Sequence, residues 1–73
     1  MNTLEAIKQI LLEKEEVTPE RVTKESTLED LGLDSLSAMQ LICELEDRLQ
    51  VDLGEIDHLK TIGELINRVN EVR

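Results

Sequence analysis

The stretch Leu31-Gly32-Leu33-Asp34-Ser35-Leu36 decides how the rest of the chain is organised. It marks the point where a long polar connection gives way to a segment with helical apolar spacing. Asp34 is a preferred N-cap residue. A serine directly after the cap lies in the first helical turn, where backbone N–H groups have no partner within the helix. Ser35 is therefore either an ordinary first-turn residue or an exposed attachment point for an anionic group.

Apolar residues at helical spacing predict helices on both sides of this stretch. The first helix is predicted from about Thr3 to Glu15, with Asn2 or Thr3 as its cap. The second runs from Ser35 to about Leu49, and the last opens at the Thr61-Ile62-Gly63-Glu64 capping box. The pattern predicts an all-α fold, a small bundle of three to four helices with a long loop between helices one and two. Residues 1–73 are expected to form a single domain, because so short a chain has room for one modest core.

The connection from Glu16 to Asp34 lacks long periodicity, and Pro19 disfavours a helix running through it. Ser26-Thr27-Leu28-Glu29 matches a capping box and predicts a short helical turn near Leu28–Leu31, which Gly32 would end. One or two further helical turns are predicted within Gly54–Leu59. Five apolar side chains are expected to hold the loop against the core: Val17, Val22, Leu28, Leu31 and Leu33.

The second helix carries two apolar stripes. The core stripe consists of Ala38, Leu41, Ile42, Leu45 and Leu49. A second stripe, formed by Leu36, Met39 and Cys43, lies on an adjoining side. Together the stripes cover more of the helix circumference than one core face needs. One of them is therefore expected to be partly exposed.

Charge and composition exclude several classes of partner. The net charge is −9, and phosphate recognition needs clustered Lys and Arg, so nucleic acid is not expected as a partner. An anionic membrane would also repel the chain, whereas basic protein surfaces would attract it. No apolar run reaches membrane-spanning length, the N-terminus is not a signal peptide, and a single cysteine cannot form an internal disulfide. A cytoplasmic location is expected.

Catalysis by the chain itself is not expected. A small serine hydrolase would require His58, the only histidine, to fold back onto Ser35. One cysteine and one histidine do not make a zinc site, and the acidic residues lack the spacing of a calcium loop. An unmodified acidic scaffold or interaction domain is the remaining alternative. It explains the bundle and the charge, but not a serine at the end of a long loop beside a spare apolar stripe.

The combination of Leu31–Leu36 with Leu41-Ile42-Cys43-Glu44-Leu45-Glu46-Asp47 resembles the acyl carrier protein family, over essentially the whole chain. The resemblance implies that Ser35 carries 4′-phosphopantetheine, transferred from coenzyme A to its hydroxyl by a separate phosphopantetheinyl transferase. It implies that the arm's thiol then holds an acyl group as a thioester, in fatty-acid, polyketide or specialised lipid synthesis. Asp34 matches the family's residue beside the serine and is expected to help orient the transferase's metal ion.

The resemblance also assigns roles to the side chains of the second helix. Partner enzymes, acyl-transferring and ketosynthase-type proteins with basic surfaces, are expected to contact Leu36, Met39, Cys43, Glu44, Glu46 and Asp47. The alternative for Leu36, Met39 and Cys43 is that they complete the core or line the acyl pocket; partner contact is favoured for Leu36, and for Cys43 the two are equal. Helical faces suggest an acyl pocket lined by Leu41, Ile42, Leu45, Ile56, Leu59 and Ile62. Ser37 and Gln40 are neutral where fatty-acid carriers usually place acidic residues. The family is usually monomeric, so a monomer is expected.

Overall fold

The computed structural model describes residues 2–54 and 60–72. In chain order its elements are α1 (Thr3–Glu15), a 3-10 turn (Pro19–Arg21), α2 (Ser35–Leu49) and α3 (Ile62–Val72). Within the described residues there is no strand, only an isolated antiparallel bridge between Thr27 and Thr61. The predicted all-α class is confirmed, and α1 and α2 have their predicted bounds. The helical turns predicted within Gly54–Leu59 lie largely outside the described residues.

α1 is capped at both ends by local hydrogen bonds. The Asn2 side-chain oxygen accepts a bond from the Glu5 N–H at 2.8 Å, so Asn2 rather than Thr3 is the cap. At the other end Glu16 adopts a left-handed conformation (φ 57°), and the Val17 N–H donates to the Leu11 carbonyl at 3.1 Å. This is the bond pattern that satisfies the last carbonyls of a helix. The chain thereby turns away from α1 with Val17 already buried.

α3 opens at the predicted capping residue, with one difference. The Thr61 hydroxyl oxygen accepts a bond from the Glu64 N–H at 3.2 Å, as expected of a capping box. The Glu64 carboxylate, however, accepts from the Lys60 N–H at 2.8 Å rather than from the N–H of Thr61. The reciprocal bond therefore reaches one residue further back than the motif predicts.

The capping box predicted at Ser26 is wrong by one residue. It is the Thr27 hydroxyl that accepts from the Asp30 N–H, at 2.9 Å. The Ser26 hydroxyl is turned toward the preceding loop, where it donates to the Arg21 carbonyl at 2.8 Å and accepts from the Thr23 N–H at 3.0 Å. The helical turn that follows is present, and it ends at Gly32 with φ 78°, as predicted.

Backbone hydrogen bonds tie the long loop to the start of α3. The Leu28 N–H donates to the Lys60 carbonyl at 3.0 Å, and the Ile62 N–H donates to the Ser26 carbonyl at 3.0 Å. The Gly63 N–H donates to the Lys24 carbonyl at 2.9 Å. The loop that leads to Ser35 is therefore fixed to a helix at its middle and does not hang free.

The core is aliphatic and draws on all three helices and on the loop. Each of its members is at most 8 % exposed. The loop contributes Val17, Val22, Leu31 and Leu33 as predicted, with Leu28 partly buried against them. The other members are Ala6, Ile7, Ile10, Leu11, Leu41, Leu45, Leu53, Ile62, Leu65, Ile66 and Val69. This core fixes the start of α2 through the buried leucines on its N-terminal side.

Candidate functional site

Ser35 is an exposed residue on a rigid support. It is the first residue of α2, directly after the N-cap Asp34. The helical turn that precedes α2 ends at Gly32, three residues before Ser35, and the Leu33 N–H donates to the Leu28 carbonyl at 3.0 Å. Because Leu31 and Leu33 are buried, the backbone on the approach to Ser35 is anchored. The Ser35 side chain is consequently presented to solvent from a fixed position.

Asp34 is held as the cap of α2. Its carboxylate accepts a bond from the Ser37 N–H at 2.8 Å, and its carbonyl accepts from the Ala38 N–H at 2.9 Å. The hydrogen bonds from the Ser37 backbone and then from the Ser37 side chain lower the pKa of the Asp34 carboxyl below its ordinary value. Asp34 is therefore an anion at neutral pH, and its charge lies beside Ser35.

The second apolar stripe of α2 is exposed, as one of the two stripes was expected to be. Leu36 is 65 % exposed and Met39 is 62 % exposed. Cys43 is an exposed free thiol, so its placement in the core, one of the two alternatives, is wrong. The stripe therefore starts one residue after Ser35 and continues along α2.

A groove of about 450 Å³ lies between α1 and this stripe. Leu36, Met39 and Cys43 line it from α2, and Ile10 lines it from α1. The ionisable side chains that line it are Lys14, Glu15 and Glu44. The α1 side of this groove was missed by the sequence analysis, because apolar spacing within one helix does not show which residues of a second helix lie opposite.

The predicted acidic partner-binding residues have different environments. Glu44 accepts a bond from the Arg48 guanidinium at 3.4 Å, and Arg48 also forms an ion pair with Glu13 of α1. Glu46 accepts from the Leu53 N–H at 2.8 Å, which fixes the chain after α2. Asp47 is exposed. The i, i+4 spacing of Glu44 and Arg48 could have predicted their pairing; the pairing with Glu13 has no local signal.

The predicted acyl-pocket residues within the described part of the chain are packed in the core. Leu45 and Ile62 are fully buried, Leu41 is 2 % exposed, and Ile42 is half-buried. Ile56 and Leu59 lie outside the described residues, as does His58. The contact between His58 and Ser35 that a hydrolase would need is therefore not described. Among residues 2–54 and 60–72, no three acidic, histidine or cysteine side chains come together as a metal-binding group.

The chemistry of this site fits a covalently held phosphate ester. The Ser35 oxygen lies at the N-terminus of a 15-residue helix, where the helix dipole favours a negative charge. The neighbouring Asp34 carboxylate opposes that charge, but it faces the Ser37 N–H as the helix cap. In the part of the chain that is described, no hydrogen bond occupies the Ser35 hydroxyl.

Comparisons with known proteins agree with this site. The family model described as the phosphopantetheine attachment site matches residues 5–69. An acyl carrier protein of Streptococcus pneumoniae is 37% identical over 71 residues, which cover 97% of this chain and 96% of that protein. One from Streptococcus pyogenes is 35% identical with the same coverage, and one from Phenylobacterium zucineum is 30% identical, covering 96% of this chain and 92% of that protein.

These findings define a carrier protein that uses a phosphopantetheine group. More particularly, the chain belongs to the acyl carrier protein family, and its cofactor is 4′-phosphopantetheine. Proteins of this kind are carriers on which other enzymes act. In the described residues, none of the helices has the length and apolar character needed to cross a bilayer.

Proposed function

We propose that Ser35 is the attachment site and that the chain carries acyl groups for fatty-acid or related polyketide or specialised lipid biosynthesis. The comparison of the three serines carries this proposal. The Ser26 hydroxyl donates to the Arg21 carbonyl within the loop, and Ser37 is half-buried with its N–H bonded to the Asp34 carboxylate. Ser35 alone combines an exposed side chain with the first position of α2.

The chain's own residues would hold and display the attachment point. Leu31 and Leu33 anchor the preceding backbone in the core, and Asp34 fixes the first turn of α2. When bound, the cofactor supplies a terminal thiol that holds acyl groups as thioesters. The Asp34 anion beside Ser35 is placed to attract the metal ion of a phosphopantetheinyl transferase.

We infer that an acyl chain enters among Leu41, Ile42, Leu45 and Ile62. Burial of an alkyl chain is favourable by about 0.8 kcal/mol per methylene. Because Leu45 and Ile62 are fully buried, entry requires these side chains to move apart, and half-buried Ile42 is the first that an incoming chain would meet. Loading octanoate should shift the methyl resonances of Leu45 and Ile62. Shifts confined to residues next to Ser35 would contradict this pocket.

We also infer that residues 1–73 act as one cytoplasmic, monomeric carrier domain. Its partners would be a phosphopantetheinyl transferase and acyl-transferring and ketosynthase-type enzymes. All three helices contribute to one core, which supports a single unit. The exposed stripe of Leu36, Met39 and Cys43 beside Ser35 supports docking of other proteins at this face.

Attachment is tested by intact mass after incubation with coenzyme A, magnesium and a broad-specificity phosphopantetheinyl transferase. The unaltered chain should gain one phosphopantetheine, and Ser35→Ala should gain none. Ser37→Ala is the matched control, because it removes a serine hydroxyl two residues away and should still be modified. Circular dichroism should show the same helical content in all three proteins.

Two outcomes of the loading experiment would contradict attachment at Ser35. Modification of Ser35→Ala would place the attachment elsewhere. Failure of the folded, unaltered chain to react with several transferases would favour the unmodified acidic scaffold instead.

A further inference from the structure

The face of α2 next to Ser35 carries little free charge, although the chain has a net charge of −9. Over the first half of the helix the solvent-facing side chains are apolar or neutral: Leu36, Ser37, Met39, Gln40 and Cys43. Just before α2, Glu29 and Asp30 are exposed in the preceding turn, and the Asp34 carboxylate accepts the Ser37 N–H as the helix cap. The exposed side chains of the first half of α2 are themselves uncharged.

Two of the three acidic residues further along α2 are engaged within the molecule. Glu44 pairs with Arg48, which also reaches across to Glu13 on α1. The Glu46 carboxylate accepts from the Leu53 N–H. A partner's cations would compete with Arg48 for the Glu44 carboxylate and would share the Glu46 carboxylate with the Leu53 N–H. Of the acidic residues expected to bind partners, Asp47 alone has a carboxylate with no bond to another described residue; its carbonyl accepts from the Gln50 side chain at 2.8 Å.

The groove between α1 and α2 has the same character. Its floor is apolar, formed by Ile10, Leu36, Met39, Leu41 and Cys43. Its ionisable lining residues are Lys14, Glu15 and Glu44, and Glu44 pairs with Arg48, which also pairs with Glu13. The lining residues therefore carry a net charge of only −1, and Lys14 would repel an approaching cation. A strongly basic partner surface therefore has little to pair with here.

We propose that the partner enzymes of this carrier dock over the α1–α2 groove through an apolar, weakly charged protrusion. This proposal rests on the function proposed above and refines its partners, which the sequence alone predicted to have basic surfaces. Apolar contact supplies the affinity, because Leu36 and Met39 lose most of their exposed surface when covered. Exposed ion pairs are screened by salt whereas apolar contacts are not, so docking should depend weakly on ionic strength.

The probe is one broad-specificity phosphopantetheinyl transferase, a protein that has to approach Ser35. Its kcat/KM is measured from low to high sodium chloride with the unaltered chain as substrate. The double variant Ser37→Glu/Gln40→Glu adds two charges at the docking face. Asn67→Glu/Asn70→Glu is the matched control, because these exposed residues of α3 have the same i, i+3 spacing.

The unaltered chain should change in kcat/KM by less than about threefold across the salt range, since few ion pairs form. With Ser37→Glu/Gln40→Glu, kcat/KM should fall more steeply with salt. With the α3 control, its salt dependence should equal that of the unaltered chain. Leu36→Ala and Met39→Ala should each lose about fivefold or more in kcat/KM, as residues in the centre of an interface do. Leu12→Ala, an exposed leucine of α1 that does not line the groove, should lose little.

Three results would overturn the proposal. One is a steep salt dependence of kcat/KM for the unaltered chain. Another is a salt dependence of Ser37→Glu/Gln40→Glu that is the same as that of the unaltered chain. The third is a loss in Leu36→Ala and Met39→Ala no larger than that in Leu12→Ala. Each of these requires that the chain is modified, so each leaves the carrier function standing. If the chain is not modified at all, the carrier function fails and this proposal falls with it.

Discussion

Asp34 links the helix start to the attachment point at the scale of single residues. Its carboxylate and its carbonyl each accept an N–H of the first turn of α2, from Ser37 and Ala38 respectively. The same carboxylate places a negative charge beside Ser35. One side chain thus fixes the backbone on which Ser35 is presented and shapes the electrostatics around it. A substitution that keeps the oxygen acceptor but removes the charge separates these two effects.

Asp34→Asn is expected to change how stability depends on pH. The folded-state pKa of Asp34 is lowered by the Ser37 hydrogen bonds, against about 3.9 in an unfolded chain. The anion therefore stabilises the fold above the unfolded value, and this contribution is lost as pH falls through the folded pKa. The difference in free energy of unfolding between the two proteins should be largest near pH 7. It should shrink below about pH 4.

Urea unfolding of both proteins at pH 7, 5, 4 and 3 measures that difference. Asparagine retains a side-chain oxygen that can accept the Ser37 N–H, so the pH-dependent part reports the charge. A difference that stays constant over the series would show that the Asp34 charge does not contribute.

Capping at the residue scale was only partly predictable. Asp34 and Thr61 follow from residue type and position, whereas residue type left Asn2 and Thr3 as alternative caps of α1. In the long loop two hydroxyl residues are adjacent, and the local sequence does not show which one faces the turn. The hydrogen bonds of Ser26 to Arg21 and Thr23 decide it in favour of Thr27. That choice depends on the path of the preceding loop.

At the scale of elements, the turn before α2 is held in a conformation that glycine favours. Gly32 has φ 78° and its N–H donates to the Glu29 carbonyl at 2.9 Å. Apart from atoms of Gly32 and its two chain neighbours, no atom lies within 4 Å of the place where a Cβ would stand, so the rest of the molecule leaves space for a substitution there. The backbone conformation itself carries the cost, because a Cβ clashes with the neighbouring carbonyl in this region.

Gly32→Ala is expected to lower the free energy of unfolding by about 1 kcal/mol. In a domain of this size that corresponds to a fall in Tm of about 4–8 °C. Glu29→Ala, in the same turn, is the matched control and should stay within about 0.5 kcal/mol of the unaltered chain. Calorimetry compares the three. Equal Tm values for Gly32→Ala and the unaltered chain would show that the turn adapts without strain.

Helix bounds were more predictable than the contacts between helices. The apolar spacing of Thr3–Glu15 and Ser35–Leu49 is a local signal, and both bounds were predicted correctly. Arg48 pairs with Glu13 across 35 positions, and Glu46 bonds to the backbone of Leu53. Such contacts depend on how helices are placed against one another, which no single segment specifies. For this reason the sequence analysis did not predict the bonds that Glu44 and Glu46 make within the molecule.

At the scale of the whole molecule, the chain separates a closed aliphatic core from an open apolar groove. Both sets of side chains come from α2, where Leu45 is fully buried and Met39 is 62 % exposed. The sequence indicated two stripes but left open which one was exposed. Their assignment comes from packing, since Leu41 and Leu45 are buried in one cluster with residues of α1 and α3, whereas Met39 is left outside it. The two stripes should therefore respond oppositely to truncation.

Leu45→Ala is expected to lower the free energy of unfolding by about 2–5 kcal/mol, because it removes buried methyl groups and leaves a cavity. A domain of 73 residues has a total stability of only about 4–11 kcal/mol. The variant should therefore be partly unfolded at moderate urea concentrations where the unaltered chain is folded. Met39→Ala, six residues earlier on the same helix, should remain within about 0.5 kcal/mol of the unaltered chain.

Paired urea unfolding and phosphopantetheine loading distinguish the two roles. Leu45→Ala should shift the urea midpoint and still be loaded without urea, since Ser35 and its cap are intact in the folded fraction. Met39→Ala should keep the midpoint and lose loading efficiency, because its side chain acts in docking. Similar midpoints for both variants would mean that the aliphatic core closes over the missing methyl groups. A core of that kind would also accommodate an acyl chain more readily than its packing at Leu45 and Ile62 implies.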